Sequence, residues 1–299
     1  MTSETITAAA AGTWPLGDLT VNRIGLGAMR LTQTGKALVP DAVASDRGRA
    51  ISVLRRAVEL GVNHIDTASF YFSPLRSANE LINHALAPYD DGLVITTKVG
   101  PGRDPSGTFW WAEPGRLRGQ VEENLRQLGR DHLDVVNLRL PPSAADRSIA
   151  EHFGALADLR TAGLVRHLGI SNARPEHLAE AQAIAPVVCV QNPYGIGSSA
   201  EDHAFVDECG KQDVAFVPFF AIAGPGKESG AAGDDAEQVR ALAAAHGVST
   251  AQLRLAWTLN RGPHVLAIPG TGNPDHLVEN VAAGALRLAP EEMALLNSL

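Results

Sequence analysis

The stretch Gly61-Val62-Asn63-His64-Ile65-Asp66-Thr67-Ala68-Ser69-Phe70-Tyr71 holds a glycine, a short apolar run and a polar ending, in that order. Upstream, Ile51, Leu54 and Val58 recur at helical spacing through residues 47–60, and a glycine after the last periodic residue is a common helix stop. Residues 62–66 then read as a strand that ends on Asp66, with Tyr71 five residues later. This unit repeats along the chain. Short runs rich in Val, Ile and Leu fall at 23–27, 62–66, 93–99, 133–138, 165–170, 187–191, 214–219 and 265–268. Most are continuously apolar rather than alternating, as expected of parallel strands covered by helices on one face and packed on the other.

Helical patterns lie among these runs. Leu117, Val121, Leu125 and Leu128 precede Gly129, and Ile149, Phe153 and Leu156 precede Gly163. Others cover 79–87, 175–184, 204–209, 236–246 and 276–283, and two more, at 251–259 and 290–299, exceed one helix per strand. Eight strands alternating with helices predict a (β/α)8 TIM barrel with extra C-terminal helices. A doubly wound sheet is the rival, but Gly25-Leu26-Gly27-Ala28-Met29-Arg30 lacks the third glycine of its phosphate turn. Residues 14–21, with Gly17-Asp18 in the middle, predict an N-terminal β-hairpin that plugs the barrel's N-terminal end. Residues 1–12 are expected to be disordered and 13–299 to form a single domain.

Composition narrows the function classes. In 299 residues, 29 glycines and 18 prolines are too few and too scattered for a fibrous or disordered chain. Lys and Arg total 25 against 33 Asp and Glu, a net charge of −8 without basic clusters. Neither a nucleic-acid nor an anionic membrane partner is expected. Cys189 sits in an apolar run and Cys209 in a helical stretch, so both are expected to pack rather than react. No apolar stretch approaches the roughly 18 residues that span a bilayer, and Glu4 stands where a signal peptide carries basic charge. The expectation is a cytoplasmic enzyme or binding module, monomeric or a small homo-oligomer.

In such barrels the functional site forms at the C-terminal ends of the strands. The second strand ends at Asp66, followed by Tyr71. The third ends at Lys98, the fourth near Arg139, the fifth at Ser171-Asn172 and the sixth at Gln191. A carboxylate, a phenol, an ammonium and a guanidinium are thus delivered to one mouth. A tyrosine hydroxyl, with a reference pKa of about 10, is a poor acid at neutral pH, and a nearby cation stabilises its phenolate. A buried lysine needs a counter-charge, which Asp66 would supply. Tyr71 could then protonate a carbonyl oxygen while hydride reaches the carbon. Any one of these residues has a bland alternative, since an Asp at a strand end can cap a helix and a loop Tyr is usually a surface residue. Their convergence on consecutive strand ends carries the functional reading.

On these residues the sequence resembles the aldo-keto reductases, over about residues 21–280. The segment from Gly61 to Tyr71 is similar to that family's strand-two signature, and Asp66, Tyr71 and Lys98 fall on three members of its catalytic tetrad. The resemblance implies a metal-free barrel that uses NADPH, less often NADH, to reduce an aldehyde or ketone as small-molecule substrate. It places the nicotinamide amide on Ser171, Asn172 and Gln191, and the ring against Phe219. It also assigns Met29, Gly270, Thr271, Gly272, His276, Glu279 and Asn280 to the cofactor, with the adenosine phosphate near the start of the last barrel helix. The tetrad's fourth member is a histidine, and here Arg139 stands in its place. A guanidinium donates hydrogen bonds but cannot act as a base, and its fork suits a carboxylate, phosphate or phenolate. Arg139 in Asn137-Leu138-Arg139 is similar to a bacterial subgroup of pyridoxal- or pyridoxine-type reductases.

Other residues are given lesser roles. His64 is expected to be a satisfied barrel-wall residue. Trp110 and Trp111, in the long loop 100–113, are placed at the substrate mouth, and the glycine-rich residues 223–233 over the cofactor. Two rival functions separate by experiment. A nucleotide-binding, redox-sensing regulatory subunit of the same fold would turn over slowly, and a Schiff-base aldolase would be trapped on Lys98 by borohydride.

Overall fold

The computed structural model describes residues 6–39, 41–144, 147–222 and 236–299. A hairpin comes first, β1 (Thr13–Leu16) paired antiparallel with β2 (Leu19–Asn22) across a two-residue Gly17-Asp18 turn. The central sheet is built from β3 (Leu26–Gly27), β6 (His64–Asp66), β9 (Val94–Val99), β12 (Leu133–Arg139), β13 (Val165–Ser171), β14 (Val187–Gln191) and β15 (Ala215–Phe216), hydrogen-bonded in sequence order and parallel. Small antiparallel ribbons decorate the loops: β4 (Gln33–Thr34) with β5 (Val43–Ala44), β7 (Phe72–Ser73) with β8 (Arg76–Ser77), and β10 (Pro101–Arg103) with β11 (Phe109–Trp111).

The helices are α1 (Arg47–Glu59), α2 (Ala78–Leu86), α3 (Leu117–Leu128), α4 (Ala150–Thr161), α5 (Pro175–Gln182), α6 (Ala200–Lys211), α7 (Glu237–His246), α8 (Thr250–Asn260), α9 (Pro274–Ala282) and α10 (Pro290–Asn297). Local chemistry sets their bounds. The Asp46 carboxylate accepts from the Arg49 amide at 2.7 Å and opens α1. α6 starts earlier than its apolar pattern because Ser199 and Asp202 form a reciprocal cap.

The sheet closes into a barrel through residues 265–270. Isolated parallel bridges join Phe216 to Val265 and Ile24 to Ala267, with Leu266 N–H on the Phe216 carbonyl at 2.9 Å and Ala267 N–H on that of Arg23 at 2.8 Å. The eighth run is therefore bridged rather than laddered, and Pro263 and Pro269 on either side lack the amides a continuous ladder needs. Pro218 shortens the seventh strand in the same way.

Inside the barrel, Leu16 and Val21 of the hairpin pack with Val94, Val135, Cys189, Ala215, Val217 and Leu266. The hairpin plugs the N-terminal end as expected. Asp18 fastens it to β13 through Arg166 (2.6 and 3.1 Å) and His167 (2.6 Å). These partners hold the Asp18 carboxyl below the usual carboxylate range. One layer higher the interior is polar: His64 and Thr96 share a hydrogen bond at 3.0 Å, and the Cys189 thiol donates to Asn137 Oδ1 at 3.2 Å. Gly169 of β13 makes this layer possible, since a Cβ there would lie 2.1 Å from Asn137 Oδ1. Both cysteines are buried and free, and burial pushes each thiol up to about 12.

The disorder expected of residues 1–12 does not hold for residues 6–12, which the structure describes. Ala8–Ala11 form a 3-10 helix with Ala8 and Ala11 buried, tied by Ala8 N–H to the Leu60 carbonyl at 2.8 Å. Arg287 and Arg23 donate to the carbonyls of Ala10 and Ala11. The methyl side chains allow this segment to approach Gly284 closely. Residues 1–5 lie outside the described residues. Among the described residues, no helix is long and apolar enough to cross a membrane.

Candidate active site

Because side chains alternate across a strand, Asp66 points into the barrel with His64, Lys98 with Thr96, and Gln191 with Cys189. The three strand-end residues meet. Lys98 Nζ donates to Asp66 Oδ1 at 2.6 Å and to the Thr67 carbonyl at 3.1 Å, and Gln191 Nε2 donates to Asp66 Oδ2 at 2.7 Å. The ion pair is almost wholly removed from water, its side chains 3% and 4% exposed. Burial opposes the Lys98 charge, yet the Asp66 carboxylate, helped by the neighbouring Tyr71 oxygen, holds its pKa above the ordinary lysine value. Burial lowers His64, beneath this pair, to about 4, so that it stands neutral. His64 is only half satisfied, because Nδ1 is buried without a hydrogen-bond partner among the described residues.

Tyr71 lies on the loop after β6, and Lys98 Nζ sits 4.9 Å from its ring centroid. Phe70 packs edge-on against Tyr71 at 5.0 Å and against Phe109 at 6.0 Å. Asp66, Tyr71, Lys98 and Arg139 all line one cavity of about 590 Å³, within the about 300–1,000 Å³ range of small-molecule sites. Arg139 takes a position of its own. Its Nη1 donates to Ser171 Oγ at 3.1 Å and its guanidinium lies over Phe219 at 4.6 Å.

Of the residues assigned to a cofactor, Met29, Asn172, Gln191, Phe219 and Gly270 line the same cavity. Ser171 is fully buried at the end of β13. Thr271, Gly272, His276, Glu279 and Asn280 are set apart from this lining, running from the end of the last barrel segment into α9. There Asn273 caps the helix, accepting from the Asp275 amide at 3.2 Å. His276 and Glu279 are exposed, whereas Asn280 is buried.

The long loop 100–113 folds back as the β10–β11 hairpin, and its alternation divides the aromatics. Phe109 and Trp111 face the cavity, while Trp110 lies on the opposite face against Gly102, where a Cβ would fall 2.1 Å from the indole. Phe70, Phe109 and Arg30 are among the other residues of the cavity wall and escaped the sequence reading. The i, i+2 spacing of Phe109 and Trp111 was the available signal for one of them. Residues 223–233, expected to cover the cofactor, lie outside the described residues.

A nicotinamide dinucleotide fits the residues present. Gln191 Oε1 is a buried acceptor without a hydrogen-bond partner among the described residues, the kind of atom a carboxamide N–H satisfies. Gly27 and Gly270 bring two strand ends together so closely that a Cβ on Gly27 would lie 2.6 Å from the Ile268 carbonyl. This leaves side-chain-free backbone beside the cavity.

Comparison with known proteins bears on the whole chain. The model of the Aldo/keto reductase family matches residues 23–299. The chain is 41% identical to pyridoxine 4-dehydrogenase of Escherichia coli strain K12, over 97% of this chain and 99% of that protein. It is 36% identical to an uncharacterized oxidoreductase of Schizosaccharomyces pombe, over 99% and 92%. Among solved structures, an aldo/keto reductase from Klebsiella pneumoniae in complex with NADP and acetate is 26% identical. That likeness has a TM-score of 0.74 and covers 93% of this chain and 91% of that one. With the barrel, the buried Lys98–Asp66 pair and these likenesses together, the chain belongs to the aldo/keto reductase family.

Proposed function

We propose that this protein is an NADP(H)-dependent oxidoreductase that interconverts a small aldehyde or ketone and its alcohol, with Tyr71 as the general acid. Family membership and the relative crystallised with NADP support the cofactor. When bound, the reduced nicotinamide supplies hydride to a carbonyl carbon. Gln191 Oε1, Ser171 and Asn172 would hold its carboxamide and Phe219 its ring, while the N-terminus of α9 offers backbone donors to a phosphate.

The observation that carries the acid–base reading is the dry Lys98–Asp66 pair beneath Tyr71. A proton leaving the Tyr71 hydroxyl for a carbonyl oxygen leaves a phenolate, and the fixed ammonium of Lys98 stabilises that charge in a site of low dielectric. Asp66 keeps Lys98 protonated, and Gln191 satisfies the second carboxylate oxygen. The same arrangement argues against a Schiff-base role for Lys98, which requires a neutral amine.

Arg139 gives the substrate reading. Its planar fork would bind a phenolate, carboxylate or phosphate, and the aromatic wall of Phe70, Phe109 and Trp111 suits a flat ring. A vitamin B6 aldehyde combines both features, in keeping with the relative named pyridoxine 4-dehydrogenase. The test is NADPH consumption with pyridoxal and simple aldehydes. Tyr71→Phe is expected to cut kcat by about 10²-fold or more at nearly unchanged cofactor affinity. Retention of most of the kcat in a chemistry-limited assay overturns the assignment of Tyr71.

A further inference from the structure

We propose that Asn79 is a positioning residue: from behind the sheet it locks the end of β6 to β9, so that Asp66 and Lys98 meet in front at bonding distance. The proposal rests on the reading of Tyr71, Lys98 and Asp66 as the reducing site. Thr67 and Thr97 are the immediate chain neighbours of Asp66 and Lys98, and alternation turns their side chains outward, toward the helices. Thr67 Oγ1 donates to Asn79 Oδ1 at 2.8 Å, and Thr97 Oγ1 donates to Asn124 Oδ1 at 2.7 Å. Asn79 Nδ2 joins the two by donating to Asn124 Oδ1 at 2.9 Å and to Gln127 Oε1 at 3.0 Å. Asn124 Nδ2 in turn donates to the Gln120 carbonyl at 2.8 Å.

Thr67, Asn79, Thr97 and Asn124 are all 0% exposed. A helix covering a sheet ordinarily turns an apolar stripe inward, yet α3 places Gln120, Asn124 and Gln127 at i, i+4 and i+7. Buried amides are costly unless satisfied, and a satisfied network fixes geometry more sharply than apolar contact does. Here both donors of Asn79 are used.

The network acts where the sheet no longer can. β6 ends at Asp66, and the Thr67 amide makes the last bond across, to the Thr96 carbonyl at 2.8 Å. Beyond that bond, the direction of the Thr67 carbonyl depends on its side-chain tether, and this carbonyl is the second acceptor of the Lys98 ammonium. Releasing Thr67 loosens one wall of the ammonium's seat, and releasing Thr97 loosens the support of Lys98 itself, in neither case touching the cavity.

Asn79→Leu would take a hydrogen bond from three partners at once and risks unfolding, so Thr67→Val and Thr97→Val carry the test. Each keeps shape and deletes one hydroxyl, and Thr67→Ser and Thr97→Ser restore it. Two readouts separate positioning from mere stability. The first is kcat and its pH profile well below the melting temperature. The second is the Lys98 side-chain titration by NMR of lysine-labelled protein, assigned with Lys98→Met among Lys36, Lys98, Lys211 and Lys227.

The Val variants are expected to lose about tenfold in kcat, since small misplacements at a reacting centre cost that much or more. Their Lys98 midpoint should fall by about 0.5 pH units or more, NADPH affinity should stay within about twofold, and the Ser variants should recover. Val variants that lose melting temperature alone, with kcat, pH profile and Lys98 titration as in the unaltered protein, would falsify the positioning role. Ser variants as impaired as the Val variants would do the same. Should the unaltered protein reduce no carbonyl, the functional reading fails, and the Lys98 titration still decides the role of Asn79.

Discussion

Lys98→Met removes one half of an ion pair whose side chains are 3% and 4% exposed. Asp66 is left with the Gln191 amide at 2.7 Å as its remaining side-chain donor. Stranding one partner of a buried pair costs about 3–5 kcal/mol, whereas replacing both partners by neutral groups is often close to neutral. For a chain of 299 residues the unfolding entropy near the melting temperature is about 0.6 kcal/mol/K. The single substitution should therefore lower the melting temperature by about 5–8 °C. Adding Asp66→Asn removes the stranded charge and should return most of that loss. Carbonyl reduction should stay low in both variants, because neither keeps the Lys98 ammonium beside Tyr71. Differential scanning calorimetry at fixed pH and salt gives the stability comparison, and NADPH oxidation gives the activity. A single variant melting within about 1 °C of the unaltered protein, or a double variant melting no higher than the single, refutes the view that Lys98 neutralises Asp66 in a dry site.

Other consequences can be checked alongside. His64 titrates near 6.5 when unfolded and near 4 when folded. The unfolded chain thus binds more protons between these values, and stability should fall with decreasing pH through that window by up to roughly 3 kcal/mol; acid unfolding of His64→Leu with the same steepness removes the assignment. Arg139→His should retain reduction of a neutral aldehyde while lowering kcat/KM for an anionic one, and an unchanged ratio between the two substrates means that Arg139 does not read charge. Gly169→Ala puts a methyl 2.1 Å from Asn137 Oδ1 and 2.6 Å from Cys189 Sγ, which should cost about 1–3 kcal/mol; an unaltered melting temperature shows that the layer has slack. NADPH is expected to bind more tightly than NADH, with a preference that shrinks as salt rises, and equal dissociation constants at low ionic strength contradict it.

The barrel was legible because each repeat carries its own punctuation. Gly61, Gly129 and Gly163 each stand after a periodic segment and adopt positive φ, and each following apolar run is a parallel strand. Asp66 and Lys98 were legible for the same reason, since a polar residue closing an apolar run marks the barrel mouth. Other features depended on contacts that no local pattern encodes. Four alanines and a glycine at 8–12 look like a tail, and only their seat against Leu60, Arg287 and Gly284 orders them. Arg139 reaches the cavity as its strand-end position implies, whereas its bond to Ser171 Oγ and its place over the Phe219 ring depend on residues far along the chain. The outward side chains of Thr67 and Thr97 gave no sign in sequence that amides rather than leucines await them.

The bottom hairpin has a consequence for how the chain reaches this state. Residues 14–21 find their packing partners as far along as Leu266, and Ile24 pairs with Ala267. A segment made before the rest of the barrel is therefore waiting for one made after nearly all of it. During translation, β6 through β14 can pair with neighbours already made, but the hairpin's contact with Leu266 and both edges of the growing sheet stay open until about residue 270 has emerged. Contacts of such sequence separation are slow to form, and exposed edges recruit other chains. Asp18, with its ties to Arg166 and His167, fixes the hairpin to β13, a strand made about halfway along the chain.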